Sequence, residues 1–261
     1  YFNIIKKPKH GYGANVNPCI DCKIYMLKKA KAFAKKINAD FIATGEVLGE
    51  RPFSQKRSLM KIIEKESGLK DKIVRPLSAK LMPATEAEKN GLVDRKKLLS
   101  IQGRSRKPQM KLAKEFGIKK YPTPGGGCLL TDPGFSKKLI DFLANEKTLT
   151  WKDVELLKSG RHFRLGKEKI IVGRNEQENK KLFDLAEKHR LSWMEVKYYM
   201  GPLTVLQGKS NTLIKKAAEI TVRYSDAPKK EVELSYTKGR NKKIVRAKPI
   251  NKRELEKLRI I

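Results

Sequence analysis

Asn17-Pro18-Cys19-Ile20-Asp21-Cys22-Lys23, followed by a helix-length stretch and then Ala39-Asp40-Phe41-Ile42-Ala43-Thr44-Gly45, decides how the first half of this chain is read. Asn17 is a residue type that caps helices, and Pro18 suits the first helical position, where its missing N–H costs nothing. Ile20, Ile24, Leu27, Ala30, Phe33, Ala34 and Ile37 then recur at helical spacing. The apolar run after Asp40 reads as a buried strand that ends in Thr44-Gly45. Helix, buried strand and a glycine at the strand's carboxyl end are the grammar of an α/β fold, in which ligands sit at strand carboxyl ends. Cys19 and Cys22 fall one turn apart on one face, at the positive end of the helix dipole. That position predicts lowered thiol pKa values.

Working outward, the next informative stretch is Tyr121-Pro122-Thr123-Pro124-Gly125-Gly126-Gly127-Cys128. Three glycines allow a close backbone approach, so Cys128 is expected on a turn that can reach Cys19 and Cys22. Three cysteines in 261 residues, with no signal peptide in view, point to a reducing, cytoplasmic compartment rather than a disulfide framework. Two chemistries stay open for them. One is a persulfide or disulfide relay between Cys19 and Cys128. The other is an iron–sulfur cluster on Cys19, Cys22 and Cys128 with one coordination position left open. Zinc would need a fourth ligand, and His10 or an acidic side chain could supply it.

The formal net charge is +32, from 60 Lys and Arg against 28 Asp and Glu. Such an excess makes an extended polyanion the expected partner, because neutralising phosphates releases counterions. No apolar run approaches the length of a membrane span. Hydrophobic residues make up 39% of the chain, enough for real cores in two domains of ordinary size.

Taken in order, Tyr1-Phe2-Asn3-Ile4-Ile5 reads as a strand. Ser54 is placed as the cap of a helix that Gly68 ends, Ile73-Val74 as a strand, and Thr85 with Glu88 as a capping box. In Gly103-Arg104-Ser105-Arg106-Lys107-Pro108, the cations Arg104, Arg106 and Lys107 precede a helix start and form a candidate phosphate grip. The grammar changes near Asn145. Arg161-His162-Phe163-Arg164-Leu165 alternates cationic and apolar residues, which gives a strand one basic face. Further strands at Ile170–Gly173, Trp193–Met200, Val205-Leu206 and Val232–Tyr236, with helices from Arg174 and Asn211, make this half α+β. The expected organisation is an α/β domain over 1–146, an α+β domain over 147–238 and a basic C-terminal tail over 239–261.

The cysteine helix and the Thr44-Gly45 strand resemble the PP-loop (HUP-type, Rossmann-like) ATP pyrophosphatases that thiolate tRNA, above all the 2-thiouridylase branch. The resemblance covers roughly residues 1–145. It implies Cys19 as the first catalytic cysteine, Cys128 as the second, and Thr44 and Gly45 near a bound ATP with its Mg. Related thiolases with three cysteines and a four-iron four-sulfur cluster are matched as well by Cys19, Cys22 and Cys128. Two departures stand out. Glu46 replaces the usual His after Thr-Gly, and the Ser-Gly-Gly-x-Asp-Ser phosphate loop does not occur. That loop belongs to the first strand–loop–helix of the fold, so Tyr1 is expected to be an internal residue of a longer enzyme, or the loop to come from another polypeptide.

The second half resembles the NFACT RNA-binding domain, through Gly160-Arg161-His162-Phe163-Arg164 and Ile171-Val172-Gly173-Arg174-Asn175-Glu176-Gln177-Glu178-Asn179. The resemblance implies Arg161, Arg164 and Arg174 as RNA-facing cations, with His162 stacking on RNA or contacting phosphate. Together the two resemblances imply an enzyme that thiolates a uridine of tRNA, supplied with sulfur by a donor protein or by sulfide. The competing expectation is a non-catalytic RNA-binding protein that keeps a degenerate α/β domain.

Overall fold

The computed structural model describes residues 1–121 and 127–260. The chain divides into two compact units, Tyr1–Thr131 and Asp132–Ile261.

In the first unit the opening residues form a helix, α1 (Phe2–Lys6), rather than the expected strand. Phe2, Ile4 and Ile5 do not alternate as a strand requires, and only Ile5 is buried. Helix α2 (Cys19–Lys36) begins one residue later than the cap signal predicted: Pro18 is the N-cap and no side chain caps the helix. Asn17 instead turns its backbone carbonyl to the N–H of Gly13, at 2.8 Å. Ile24 and Leu27 of α2 pack on Ile63 of α3 (Arg57–Ser67), with Leu69 and Ile73. Lys56, not Ser54, occupies the N-cap of α3, and Gly68 closes it in the left-handed region at φ 70°.

Strands β1 (Ile42–Ala43) and β2 (Ile73–Val74) pair in parallel, Ile42 opposite Ile73 and Ala43 opposite Val74. Among the described residues of this unit, this pair and one isolated bridge, Leu48 with Gln102, are the whole of the β-structure. A parallel pair beside helices agrees with the α/β grammar; among the described residues this sheet has two strands. The expected Thr85–Glu88 capping box is present on α4 (Glu86–Lys89), and α5 (Lys107–Glu115) starts after Arg106.

The second unit begins earlier than the expected boundary at 146/147. Its first helix, α6 (Pro133–Asn145), belongs to it because Asp141 on that helix is paired with Arg164 and lies 3.8 Å from Lys169. Helix α7 (Trp151–Leu157) carries a capping box of Thr150 and Asp153. Then follow β3 (Arg161–Leu165), β4 (Glu168–Val172), α8 (Glu176–His189), β5 (Ser192–Val196) and β6 (Thr204–Gln207). The unit continues with α9 (Asn211–Arg223), β7 (Val232–Lys238), β8 (Asn241–Ala247) and α10 (Lys252–Leu258). The strands form one antiparallel sheet of order β3-β4-β6-β5-β7-β8.

Residues 239–261 are therefore not a tail. β8 pairs with β7 from Val232–Ala247 to Lys238–Asn241 and completes the sheet. A run rich in Lys and Arg hid this strand, because only Ile244, Val245 and Ala247 supply apolar contrast.

Alternation decides which residue faces which layer. Phe163, Ile170, Val172, Met194, Leu206 and Leu234 point to α9 and to Ile250 and Leu255. On the other face Ile171, Trp193 and Val205 meet Leu156 of α7 and Leu182 and Ala186 of α8. Each such side chain, fully withdrawn from water, contributes about 1.5–3 kcal/mol.

Candidate nucleic-acid interface

The signature that runs from Gly160 to Asn179 is held together by Glu178. Its carboxylate accepts the backbone N–H of Gly160 at 3.2 Å and of Arg174 at 3.0 Å, and it pairs with the Arg174 guanidinium. These bonds hold the Glu178 carboxyl below the usual carboxylate range, the Arg174 side chain being the largest cause. Asn179 ties the next loop, accepting the N–H of Leu203 at 3.1 Å. Gly160 sits at φ 76°, and a Cβ there would stand 2.7 Å from the carbonyl oxygen of Val172. The motif's most distinctive residues thus build the junction between β3, β4 and α8.

The four residues expected to face RNA have unequal places. His162 is buried, with Nε2 donating to the carbonyl of Ser159 at 2.8 Å. Burial, with the charges of Lys169 and Lys138 nearby, pushes its pKa well below the ordinary value. Its ring is enclosed: His162 and Phe163 are both buried although they lie on opposite faces of β3, so the strand is covered on both sides here. Arg164 Nε donates to Asp141 at 3.0 Å. Arg161 lies over the Tyr224 ring, 4.6 Å from its centroid. Arg174 keeps an exposed side chain while paired with Glu178. The Arg174–Glu178 pair was legible in advance, since opposite charges four residues apart on a helix entry meet.

In the first unit, Tyr1 sits among the thiols. Its phenol is hydrogen-bonded to Cys22, and burial first, then that bond and the neighbouring Cys22, Cys128 and Cys19, push its pKa upward. Cys19 is half-buried and its thiol is pushed up, not down. Burial is the largest cause, then the charges of Cys128 and Cys22, with Arg51 and Lys23 acting the other way. The thiol thus moves opposite to the direction expected from its place at the helix start, because desolvation disfavours the thiolate. Cys128 is exposed, and the glycine-rich stretch expected to bring it close lies at 122–126, outside the described residues.

Among the described residues, no group of three or more His, Cys, Asp or Glu side chains is arranged to hold a metal ion. His10, a candidate zinc ligand, points Nε2 at Glu66 Oε1, 3.0 Å away.

Thr44 follows β1 directly, its N–H donating to the carbonyl of Val74 at 2.9 Å and its hydroxyl to Glu46 at 3.3 Å. Gly45 has open space where a side chain would stand. Glu46 is buried and accepts from Arg75 Nε at 3.1 Å, with Lys23 Nζ 3.2 Å away. Glu46 is thus an anchor for two cations. Arg104 and Lys107 are exposed, while Arg106 Nε is 3.1 Å from Glu50.

Residues 160–259 match the family model described as the NFACT protein RNA binding domain. Comparison with the curated proteins gives no match. Among solved structures, the C-terminal part of the fibronectin/fibrinogen-binding protein from Streptococcus suis is 15% identical, with 92% of each chain covered and a TM-score of 0.36, a likeness too loose to carry an argument. The chain has no helix, among the described residues, long and apolar enough to cross a membrane.

Proposed function

We propose that this chain binds RNA, with the second unit as its RNA-binding module. The observation that carries the reading is the match of residues 160–259 to an RNA-binding domain family. The formal charge of +32 supports it, since cations in such excess favour a polyphosphate partner. Binding of a fluorescent tRNA by the full chain, followed by anisotropy from about 50 to 200 mM salt, tests it. Affinity should fall by about a hundredfold or more over that range. A chain that binds no RNA at low salt overturns the reading.

A second reading is favoured by the thiols gathered near Tyr1: sulfur transfer to a uridine of tRNA. Cys19 would carry the sulfur as a persulfide, whose terminal sulfur attacks the activated carbon of the base. The Cys128 thiolate would then attack the Cys19 sulfur, release the thiocarbonyl and leave a Cys19–Cys128 disulfide for an external thiol to reduce. ATP with its Mg would supply the activation, with Thr44 and Gly45 beside it. Thiolation assays on the enzyme carrying Cys19→Ser or Cys128→Ser should show no product. A Cys22→Ser variant that keeps its activity favours this relay over a cluster.

A further inference from the structure

One face of the sheet is only half covered. Trp193, beneath α8, pairs with Thr237, and Glu195 pairs with Ser235, so these four share a face. Through β8 the same face continues as Lys242, Ile244 and Arg246, opposite Thr237, Ser235 and Glu233. Here no helix lies above it: Lys242, Ile244 and Arg246 are all exposed, Ile244 to 49%. The opposite face of the same strands is sealed by α9 and Ile250.

The strip is bounded at both ends. At one end the Lys197 backbone N–H donates to the backbone carbonyl of Glu233, while its Nζ lies 3.5 Å from the Glu233 carboxylate and 4.8 Å from the centre of the Tyr198 ring. Tyr198 is 70% exposed. At the other end a hollow of about 450 Å³ opens between Glu187 and Arg190 of the α8 end and Gly239 and Arg240 of the β7–β8 turn. From Lys242 to Arg246 the strip runs about 14 Å.

We propose that this strip binds a short unpaired RNA segment, with bases toward the sheet and phosphates along its cationic rim; the proposal rests on the RNA-binding reading above. Ile244 and Tyr198 offer apolar and aromatic surfaces on which unstacked bases can lie, and that contact is closed to bases inside a duplex. Lys242, Arg240 and Arg190 supply charge for the backbone, and Arg246, although paired with Glu233 at 2.8 Å, keeps a side chain 68% exposed at the same rim. Glu195, exposed near the middle, argues against phosphate at that point, yet a carboxylate can accept from a base amino group. The cations first expected to face RNA are largely committed elsewhere, Arg164 to Asp141 and Arg174 to Glu178.

The test uses the full chain, a short fluorescent single-stranded RNA and the same sequence annealed as a duplex. Tyr198→Ala with Ile244→Ser should weaken single-strand binding about tenfold and change duplex binding less than about twofold, with the thermal melt unchanged. Single-strand affinity unaltered, while the parent chain still binds RNA, places RNA elsewhere, overturns the proposal and leaves the strip to a protein partner. A parent chain that binds neither RNA overturns the underlying reading as well. Ultraviolet cross-linking of the unaltered chain gives an independent answer: cross-links should fall on peptides holding Tyr198 or Lys242–Arg246, and cross-links confined to other segments overturn the assignment.

Discussion

Arg164 on β3 donates its Nε to Oδ1 of Asp141 on α6 at 3.0 Å, with both side chains about 15% exposed. An ion pair so placed ties a helix to a sheet edge. Arg164→Ala strands Asp141 with Lys169 as its remaining cation, so the variant should lose about 2–4 kcal/mol of stability in urea denaturation. A loss within about 0.5 kcal/mol would assign the pair to the class of surface contacts.

Gly160 and Gly166 both have positive φ, 76° and 56°, but only Gly160 faces an obstacle, the carbonyl of Val172. Gly160→Ala should cost at least about 2 kcal/mol, and Gly166→Ala, at an open turn, about 1 kcal/mol. Equal losses in paired thermal melts would mean that the approach to Val172 is not what selects glycine.

His162 stays neutral in the folded chain, whereas an unfolded imidazole takes a proton near its ordinary value. The unfolded state then binds the extra proton below about pH 6.5, so the stabilising effect of the neutral ring is complete above that pH and lost as pH falls. Wild-type stability relative to His162→Gln should drop by up to about 1.4 kcal/mol per pH unit between about pH 6.5 and the lower folded pKa. A difference that stays flat from about pH 7 to 5 contradicts the assignment.

Cys128 is exposed, while burial pushes the Cys19 thiol up. At about neutral pH iodoacetamide should therefore label Cys128 first, and the Cys19 rate should climb on the alkaline side of the ordinary thiol pKa. Mass spectrometry of timed digests reads both rates. Faster labelling of Cys19 at neutral pH would restore the helix dipole as the dominant influence.

Periodicity made most of the second unit legible. The apolar run Ile170-Ile171-Val172 marks β4, and Thr150, Asn175 and Ser210 mark helix starts that their side chains do cap. The single basic face expected of β3 is not formed, because Arg161 and Arg164 stand three residues apart and fall on opposite faces. Two things stayed hidden. β8 carries so many cations, on a strand with one face in water, that its apolar contrast is faint. The burial of His162 depends on the Ser159 carbonyl and on residues brought near by folding. In the first unit the dipole argument for Cys19 was local, whereas burial and the neighbouring thiols, which push that thiol up, come from the folded chain. Charge along a sequence likewise does not say which cation is already paired; Arg164 needed Asp141 to be placed beside it.

β3 is an outer strand, and its free edge is met by residues far along the chain: Arg259 bridges to Phe163, and Ile260 N–H donates to His162 at 3.0 Å. During synthesis that edge must wait for almost the entire second unit to emerge. A contact of such long sequence separation forms late and slows folding. Until then β3 presents unpaired backbone groups to any other strand in the cell. A ribosome that stalls or a protease that cuts beyond α10 would therefore release a sheet whose first strand is uncapped, and its hazard would be self-association rather than loss of the core.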